Sequence, residues 1–171
     1  MLTHRHTAVF VSIASIAVLL ATGASAAESA TFTVRQLAPE TALKAAQAAQ
    51  ARCRGDGFQV TVAVVDRGGS LQILLRDRFA GAHTIDTATN KAWTAVSFRT
   101  STSELDKMTQ GSSASAGVRN LPRVIAVGGG LLIEAGGAIL GGIGVSGAPG
   151  PPNDEACTKA GIAAIADSLE F

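Results

Sequence analysis

Side chains that could ligate a metal or start a covalent reaction are scarce in this 171-residue chain. It has three histidines, two methionines, two cysteines and no tyrosine, and beyond residue 26 only His83 and Met108 remain of the first two types. Cys53 and Cys157 show neither a CxxC spacing nor a His/Cys cluster, which argues against a zinc site. No nucleophile–base pair, metal triad or group of carboxylates is visible, so the pattern favours a binding protein over an enzyme without deciding between them.

His83 is the residue best suited to ligation. It follows Gly81-Ala82 at the predicted start of a helix, where side chains are usually partly exposed. An imidazole in that position could ligate a metal through its free ring nitrogen. It could equally be an ordinary surface histidine near a helix terminus, and the sequence leaves both interpretations open.

The N-terminal segment predicts export. Arg5 lies in a short basic stub, residues 8–21 are apolar, and Ala24-Ser25-Ala26 is typical of a signal-peptidase site. The apolar run is shorter than the roughly 20 residues that a membrane-spanning helix needs. We therefore expect a signal peptide over residues 1–26, one domain over residues 27–171, and a secreted or periplasmic location.

The amino-acid composition argues against some classes of binding partner and favours others. Loss of residues 1–26 removes one basic residue, leaving 13 basic and 13 acidic side chains. This balance argues against nucleic acid, which requires a basic face. The chain is 47% hydrophobic and 16% charged, which favours surfaces buried between subunits. Export would permit a disulfide between Cys53 and Cys157, although separate burial as small apolar side chains is the commoner fate on helices.

Local patterns in the first two thirds of the chain predict helices and a hairpin. Pro39 opens an alanine-rich helix that stops at Gly55. Residues 58–65 alternate as a strand, 66–70 form a turn and 71–75 a return strand. A helical period follows over residues 84–99, and Ser101-x-x-Glu104 is typical of a capping box for a short second helix.

The last third predicts three more strands and a helix. The strands are expected at residues 124–127, 131–134 and 138–145, with Gly136-Gly137 as a tight turn. Asn153 and Asp154 are expected to cap a final helix that runs to Leu169. Hairpin-linked strands with helices on the faces indicate an α+β domain with an antiparallel sheet.

Four segments together resemble the GlcG/HbpS family of heme-binding proteins, also described as the haem-degrading domain. They are VAVVDRGGSLQ, TATNKAWTAVSF, VGGGLLI and GAILGGIGVSGAPGPPNDEACTKAG. The resemblance covers residues 37–169 and implies a profilin-like fold, with one five-stranded antiparallel sheet flanked by helices. It also implies assembly into homo-oligomers, and heme as the cofactor.

The resemblance also suggests site residues. Secreted members use a Thr-x-Thr segment after the lysine-bearing helix, matched here by Thr100-Ser101-Thr102, so Thr102 joins His83 as a candidate iron ligand. A helix cap explains the same segment as well. Independently of the resemblance, Arg76, Arg78 and Arg99 could pair with propionates, because a guanidinium matches carboxylate geometry, although a solvated surface position is the commoner fate of any one of them. Lys91 could bind an anion or form an intersubunit ion pair, and the second is slightly favoured.

These observations predict an exported, oligomeric heme-binding protein that senses or sequesters heme or iron, with a membrane sensor as a candidate partner. The alternative is an accessory protein or enzyme domain that binds a small organic acid, as in glycolate-type metabolism. A third interpretation is a structural module that binds only itself or a partner protein.

Overall fold

The computed structural model describes residues 29–169. The chain divides into two units, residues 1–33 and residues 34–171. The predicted signal peptide lies outside the described residues. In the described part of the first unit, the Ser29 hydroxyl donates to the Thr31 carbonyl at 2.7 Å. Everything below concerns the second unit.

The second unit has an α+β architecture with one antiparallel sheet. Its strands are β1 (Thr61–Asp66), β2 (Leu71–Arg76), β3 (Gly130–Ala135) and β4 (Ala138–Ser146), in the order β2-β1-β4-β3. Its α-helices are α1 (Pro39–Gly55), α2 (Thr84–Phe98), α3 (Thr102–Met108) and α4 (Pro151–Ala163), with 3₁₀ turns at Ala116–Asn120 and Ala166–Ser168.

Local signals account for much of this layout. Pro39 opens α1 as predicted. In the β1–β2 turn the Asp66 carboxylate accepts the backbone N–H groups of Gly68 and Ser70, at 2.8 and 2.9 Å. The Ser101 hydroxyl caps α3 by accepting the Glu104 N–H at 3.1 Å. The first helix, the hairpin and the cap are therefore confirmed.

One face of the sheet packs against α1 and α4. Its apolar core includes Val62 and Val64 of β1 and Ile143 and Val145 of β4, all fully buried. Cys53 of α1 and Cys157 of α4 form a disulfide across the helix pair. The sequence left this bond open and favoured separate burial, and the structure decides for the disulfide because the two helices bring the cysteines together.

The opposite face packs against α2, and glycines allow the close approach. A Cβ atom at Gly144 would overlap the Ala88 carbonyl oxygen and lie 2.7 Å from the Ala92 nitrogen. A Cβ atom at Gly142 would lie 2.8 Å from the Ala92 carbonyl oxygen. The glycine-rich run of β4 is thus a packing feature rather than a phosphate loop.

The sheet has four strands, so the predicted fifth strand at residues 124–127 is wrong. Residues 124–126 have no regular secondary structure and Val127 lies in a bend. The segment is held by a helix rather than by a neighbouring strand, since the Ile125 N–H donates to the Thr94 hydroxyl at 3.0 Å. Val124 and Ala126 pack with Leu105 in a small cluster outside the main core. An apolar run of four residues does not distinguish this arrangement from a strand.

The final helix also differs from its prediction. It begins at Pro151, with Gly150 as the N-cap, and ends at Ala163. Proline at the first helical position explains the earlier start. Asp154 therefore lies inside the first turn, where its carboxylate is free for tertiary contacts.

Candidate functional site

A cleft of about 410 Å³ opens at the end of the sheet on the α2 face. It lies between the start of α2, the end of β4 and the start of α4, and the loop before β3 covers one side. The residues that line it are Gly81, His83, Thr84, Thr87, Lys91, Ile125, Val127, Ser146, Gly147, Ala148, Gly150, Pro151 and Asp154. Of these, only His83, Lys91 and Asp154 are titratable.

His83 lies at the edge of the cleft and is exposed, as the N-cap residue of α2. Its ring lies over Gly81, where a Cβ atom would come 2.9 Å from Nδ1. Its backbone carbonyl accepts both the N–H and the hydroxyl of Thr87. Neither ring nitrogen has a hydrogen-bond partner among the described residues, so the imidazole is available to a ligand.

Lys91 lies at the inner end of the cleft and is only 2% exposed. Its ammonium donates to the Asp154 carboxylate at 2.8 Å and to the Val145 carbonyl at 3.0 Å. The predicted intersubunit ion pair is therefore wrong: the partner is Asp154 of the same chain. This pair joins α2 to α4 and to the end of β4.

Asp154 holds the cleft wall in place. One carboxylate oxygen accepts from Lys91 and the other accepts the Ala148 N–H at 3.0 Å, which fixes the loop between β4 and α4. Burial raises the pKa of Asp154, because desolvation outweighs the opposing effects of Lys91 and the Ala148 N–H. The sequence suggested a helix cap for this residue and did not predict its pairing with Lys91.

Ser146 is a further cleft residue that sequence reasoning missed. It is the last residue of β4 and pairs with Thr61, so both side chains lie on the α2 face. The Thr61 hydroxyl bonds to that of Thr84 at 2.7 Å, whereas the Ser146 hydroxyl has no hydrogen-bond partner in the described part of the chain. Ser146 is only 5% exposed.

The threonines suggested by the resemblance and the candidate propionate partner Arg99 do not line this cleft. Thr102 is fully buried, and its hydroxyl accepts the Gly130 N–H at 2.8 Å. It therefore serves the packing of α3 on β3, and the structure argues against Thr102 as an iron ligand. Thr100 is half-buried beyond the end of α2, and Arg99 is an exposed left-handed residue that ends that helix.

A second groove of about 370 Å³ runs between α3 and α4. Glu155 is central to it, since its carboxylate bonds to the Ser103 hydroxyl and to Lys159, the latter at 2.7 Å. Burial alone would raise the pKa of Glu155, but the bonds from Lys159 and Ser103 outweigh it, so the pKa is lowered. Lys107 also lines the groove, so the lining carries two lysines and one carboxylate.

Residues 29–169 contain neither a metal-binding cluster nor a membrane-spanning helix. No group of three or more His, Cys, Asp or Glu side chains in this part of the chain could hold a metal ion. Among the described helices, none is long and apolar enough to cross a bilayer.

Comparison with known proteins gives the family. The model of the HbpS-like haem degrading proteins matches residues 37–163, so the chain belongs to the HbpS-like family. A curated relative, an uncharacterized 15.0 kDa protein of Citrobacter freundii, is 34% identical over 62% of this chain and 76% of its own length. The corrinoid adenosyltransferase PduO of Salmonella typhimurium is 32% identical over 54% of this chain, but the match spans only 32% of that enzyme.

Solved structures agree with this assignment. A double mutant of HbpS from Streptomyces reticuli is 40% identical with a TM-score of 0.74, over 81% of this chain and 93% of that one. A PduOC:heme complex is 30% identical with a TM-score of 0.73, over 76% of this chain and 95% of that one. The α+β fold with an antiparallel sheet flanked by helices is therefore shared with both.

Proposed function

We propose that this chain is a heme-binding protein whose ligand enters the cleft beside His83. The observation that carries the proposal is the exposed imidazole at the cleft edge, whose two ring nitrogens have no hydrogen-bond partner within residues 29–169. Histidine is a common axial ligand of heme iron. Membership of the HbpS-like family and the likeness to a PduOC:heme complex support the same ligand.

The lining of the cleft fits a porphyrin edge. Ile125, Val127 and Pro151 offer apolar side chains, and Val127 is 43% exposed. His83 would hold the iron, and bound heme would supply redox-active iron to the site. Arg99 does not line the cleft, so a propionate would need other donors there.

We further propose that the protein is exported and acts in heme or iron sensing or sequestration, with a membrane sensor as a partner. The disulfide supports export, since such bonds persist mainly in oxidising compartments outside the cytosol. The signal peptide expected at residues 1–26 points to the same secreted or periplasmic location.

Assembly into a homo-oligomer belongs to the same proposal. Strand β2 is at one edge of the sheet and carries the exposed side chains Leu71 and Leu74. An unpaired edge strand with apolar side chains is a surface that a second copy could cover. Size-exclusion chromatography with light scattering tests this, because a monomer at micromolar concentration would contradict it.

The test of heme binding is a hemin titration of the chain from residue 27 onward, followed by its Soret band. We expect the Soret band to saturate at a fixed ratio of hemin to protein. His83→Ala should shift this band or weaken hemin binding about tenfold or more. Met108→Leu is the matched control, because it removes the other conventional ligand type from an exposed position outside the cleft. A spectrum unchanged by His83→Ala would refute this ligand, and a titration without a band would refute heme binding itself.

A small organic acid remains the second candidate ligand. The observation in its favour is the pair of buried polar residues, Lys91 and Ser146, at the inner end of the cleft. A thermal-shift screen of small hydroxy and oxo acids would detect such a ligand, since binding to the folded state raises the melting temperature.

A further inference from the structure

Two buried polar groups in the cleft have unused hydrogen-bonding capacity. The Lys91 ammonium carries three N–H donors, and two of them are used by Asp154 and by Val145. The Ser146 hydroxyl has no hydrogen-bond partner among the described residues, and Ser146 lines the cleft although the residue as a whole is only 5% exposed. Because Lys91 lines the same cleft, an oxygen atom of a ligand there could accept from both the ammonium and the hydroxyl.

We infer that the inner end of the cleft binds a carboxylate group through the Lys91 ammonium and the Ser146 hydroxyl. This inference deepens the proposed function and rests on its cleft. The carboxylate could be a porphyrin propionate or belong to a free small hydroxy acid. Arg99 lies elsewhere, and no other lysine or arginine is among the described residues that line the cleft.

Charge balance adds a condition to this binding. With Lys91 already paired to Asp154, an incoming carboxylate would leave two negative charges beside one positive charge in a buried site. Such an arrangement is costly unless one carboxyl takes up a proton. Asp154 is the group placed to do so, and its raised pKa is in the same direction. Binding is therefore coupled to uptake of one proton.

The other charged groups near Asp154 do not supply this proton coupling. From α2, Lys91 faces it directly and His83 lies at the outer edge of the cleft. On α4 itself, Glu155 is committed to Ser103 and Lys159. The loop that covers the cleft contributes Ile125 and Val127, which do not titrate. His83 is the titratable residue at the outer edge of the cleft, and a His83→Ala background removes it.

The experiment compares acids with their uncharged analogues on the chain from residue 27 onward. Calorimetry uses glycolate against glycolamide, and hemin against hemin dimethyl ester, in two buffers of different ionisation enthalpy. We expect at least one acid to bind about tenfold or more tighter than its analogue, with uptake of about one proton. Its affinity should fall up to about tenfold per pH unit above the Asp154 pKa.

Substitutions test which side chains of the cleft contact the carboxylate of the ligand. Ser146→Ala should weaken the acid about fivefold, the effect of one ordinary hydrogen bond, and Ser97→Ala on the exposed side of α2 is the matched control. Asp154→Asn resembles the protonated carboxyl, so binding should lose its pH dependence. The His83→Ala background should retain the proton uptake for glycolate. Circular dichroism confirms that each variant is folded.

The outcomes separate this inference from the proposed function. If hemin and its dimethyl ester bind equally and glycolate does not bind, the carboxylate site is refuted while heme binding stands. If glycolate binds with proton uptake and hemin does not bind, heme binding is refuted while the carboxylate site stands. Equal effects of Ser146→Ala and Ser97→Ala, or binding without proton uptake, would overturn the inference as well.

Discussion

The two faces of the sheet differ in chemistry. The face toward α1 and α4 is an apolar core closed by a disulfide. On the face toward α2, β4 has Gly142 and Gly144, whereas Ile143 and Val145 point to the other face. The α2 face also holds a buried lysine–aspartate pair, two bonded threonine hydroxyls and a serine hydroxyl with no partner among the described residues. The first face has the features of a stabilising scaffold and the second those of a binding site. Substitutions in each region test that division, from the largest expected effect to the smallest.

Loss of the disulfide should have the largest effect on stability. Cys53 and Cys157 are 104 residues apart in sequence, and a loop of that length is expected to contribute about 4 to 5 kcal/mol by restricting the unfolded chain. Urea unfolding of the Cys53→Ala/Cys157→Ala double variant should show this loss, and wild type with reductant should match it. A loss of less than about 1 kcal/mol would contradict the scaffold role of this face.

Removal of Lys91 should be the most damaging single change on the α2 face. Lys91→Met leaves the buried Asp154 carboxylate unpaired, at an expected cost of about 3 kcal/mol near neutral pH. Lys44→Met, at an exposed position on α1, is the matched control and should change stability little. Adding Asp154→Asn to Lys91→Met should restore most of the lost stability. A double variant that is no more stable than Lys91→Met alone would argue against the Lys91–Asp154 ion pair as the cause.

The pH dependence of the Lys91→Met penalty follows from the raised pKa of Asp154. A carboxyl with a raised folded-state pKa binds its proton more tightly in the native protein. Its ionisation therefore lowers stability as pH rises from the ordinary value of 3.8 through the folded-state pKa. Loss of Lys91 raises the Asp154 pKa further, because the charge and hydrogen bond of Lys91 lower it, so the penalty of Lys91→Met should shrink as pH falls through that higher pKa.

Filling the gap between β4 and α2 should produce an intermediate effect. The Cβ atom of Gly144→Ala would overlap the Ala88 carbonyl, so α2 must move away from the sheet, at a cost of about 2 kcal/mol. Because α2 carries His83 and Lys91, hemin affinity should fall with stability. Gly55→Ala, which meets no atom within 4 Å, is the control. Full hemin affinity in Gly144→Ala would mean that the spacing of α2 does not shape the cleft.

The groove between α3 and α4 should contribute least. The lowered pKa of Glu155 stabilises the fold above the ordinary value of 4.5, and the contribution is lost as pH falls through the folded-state pKa. Glu155→Gln should therefore cost only about 0.5 kcal/mol near neutral pH and nothing in acid. Urea unfolding at both pH values measures this, with the exposed Glu134→Gln as the control. A cost that persists in acid would point to packing rather than charge.

The elements that could be predicted are those specified by neighbouring residues. Pro39 and Gly55 bound α1, Asp66 shapes the hairpin turn, and Ser101 caps α3. The prediction of a strand at residues 124–127 was wrong because an irregular segment held by the Thr94 side chain can have the same apolar composition as a strand held by a neighbouring strand. Local spacing also assigned Asp154 to a cap, because its true partner lies 63 residues away.

The candidate site was predicted only in part. His83 was identified because few other ligand types exist in the chain, and the structure places it on the cleft edge. Lys91 was identified with the wrong partner, and Ser146 was missed because a serine at a strand end has no distinguishing pattern. Its register opposite Thr61 becomes apparent only once β1 and β4 are paired.

By itself the sequence determined the helix boundaries set by proline, glycine and serine, the α+β class and the family resemblance, because these depend on residues close together in the chain. Only the tertiary structure decided the disulfide, the count of four strands, the partner of Lys91 and the cleft. Each of these depends on which distant side chains the sheet brings within contact distance, and that choice is made by packing both of its faces at once.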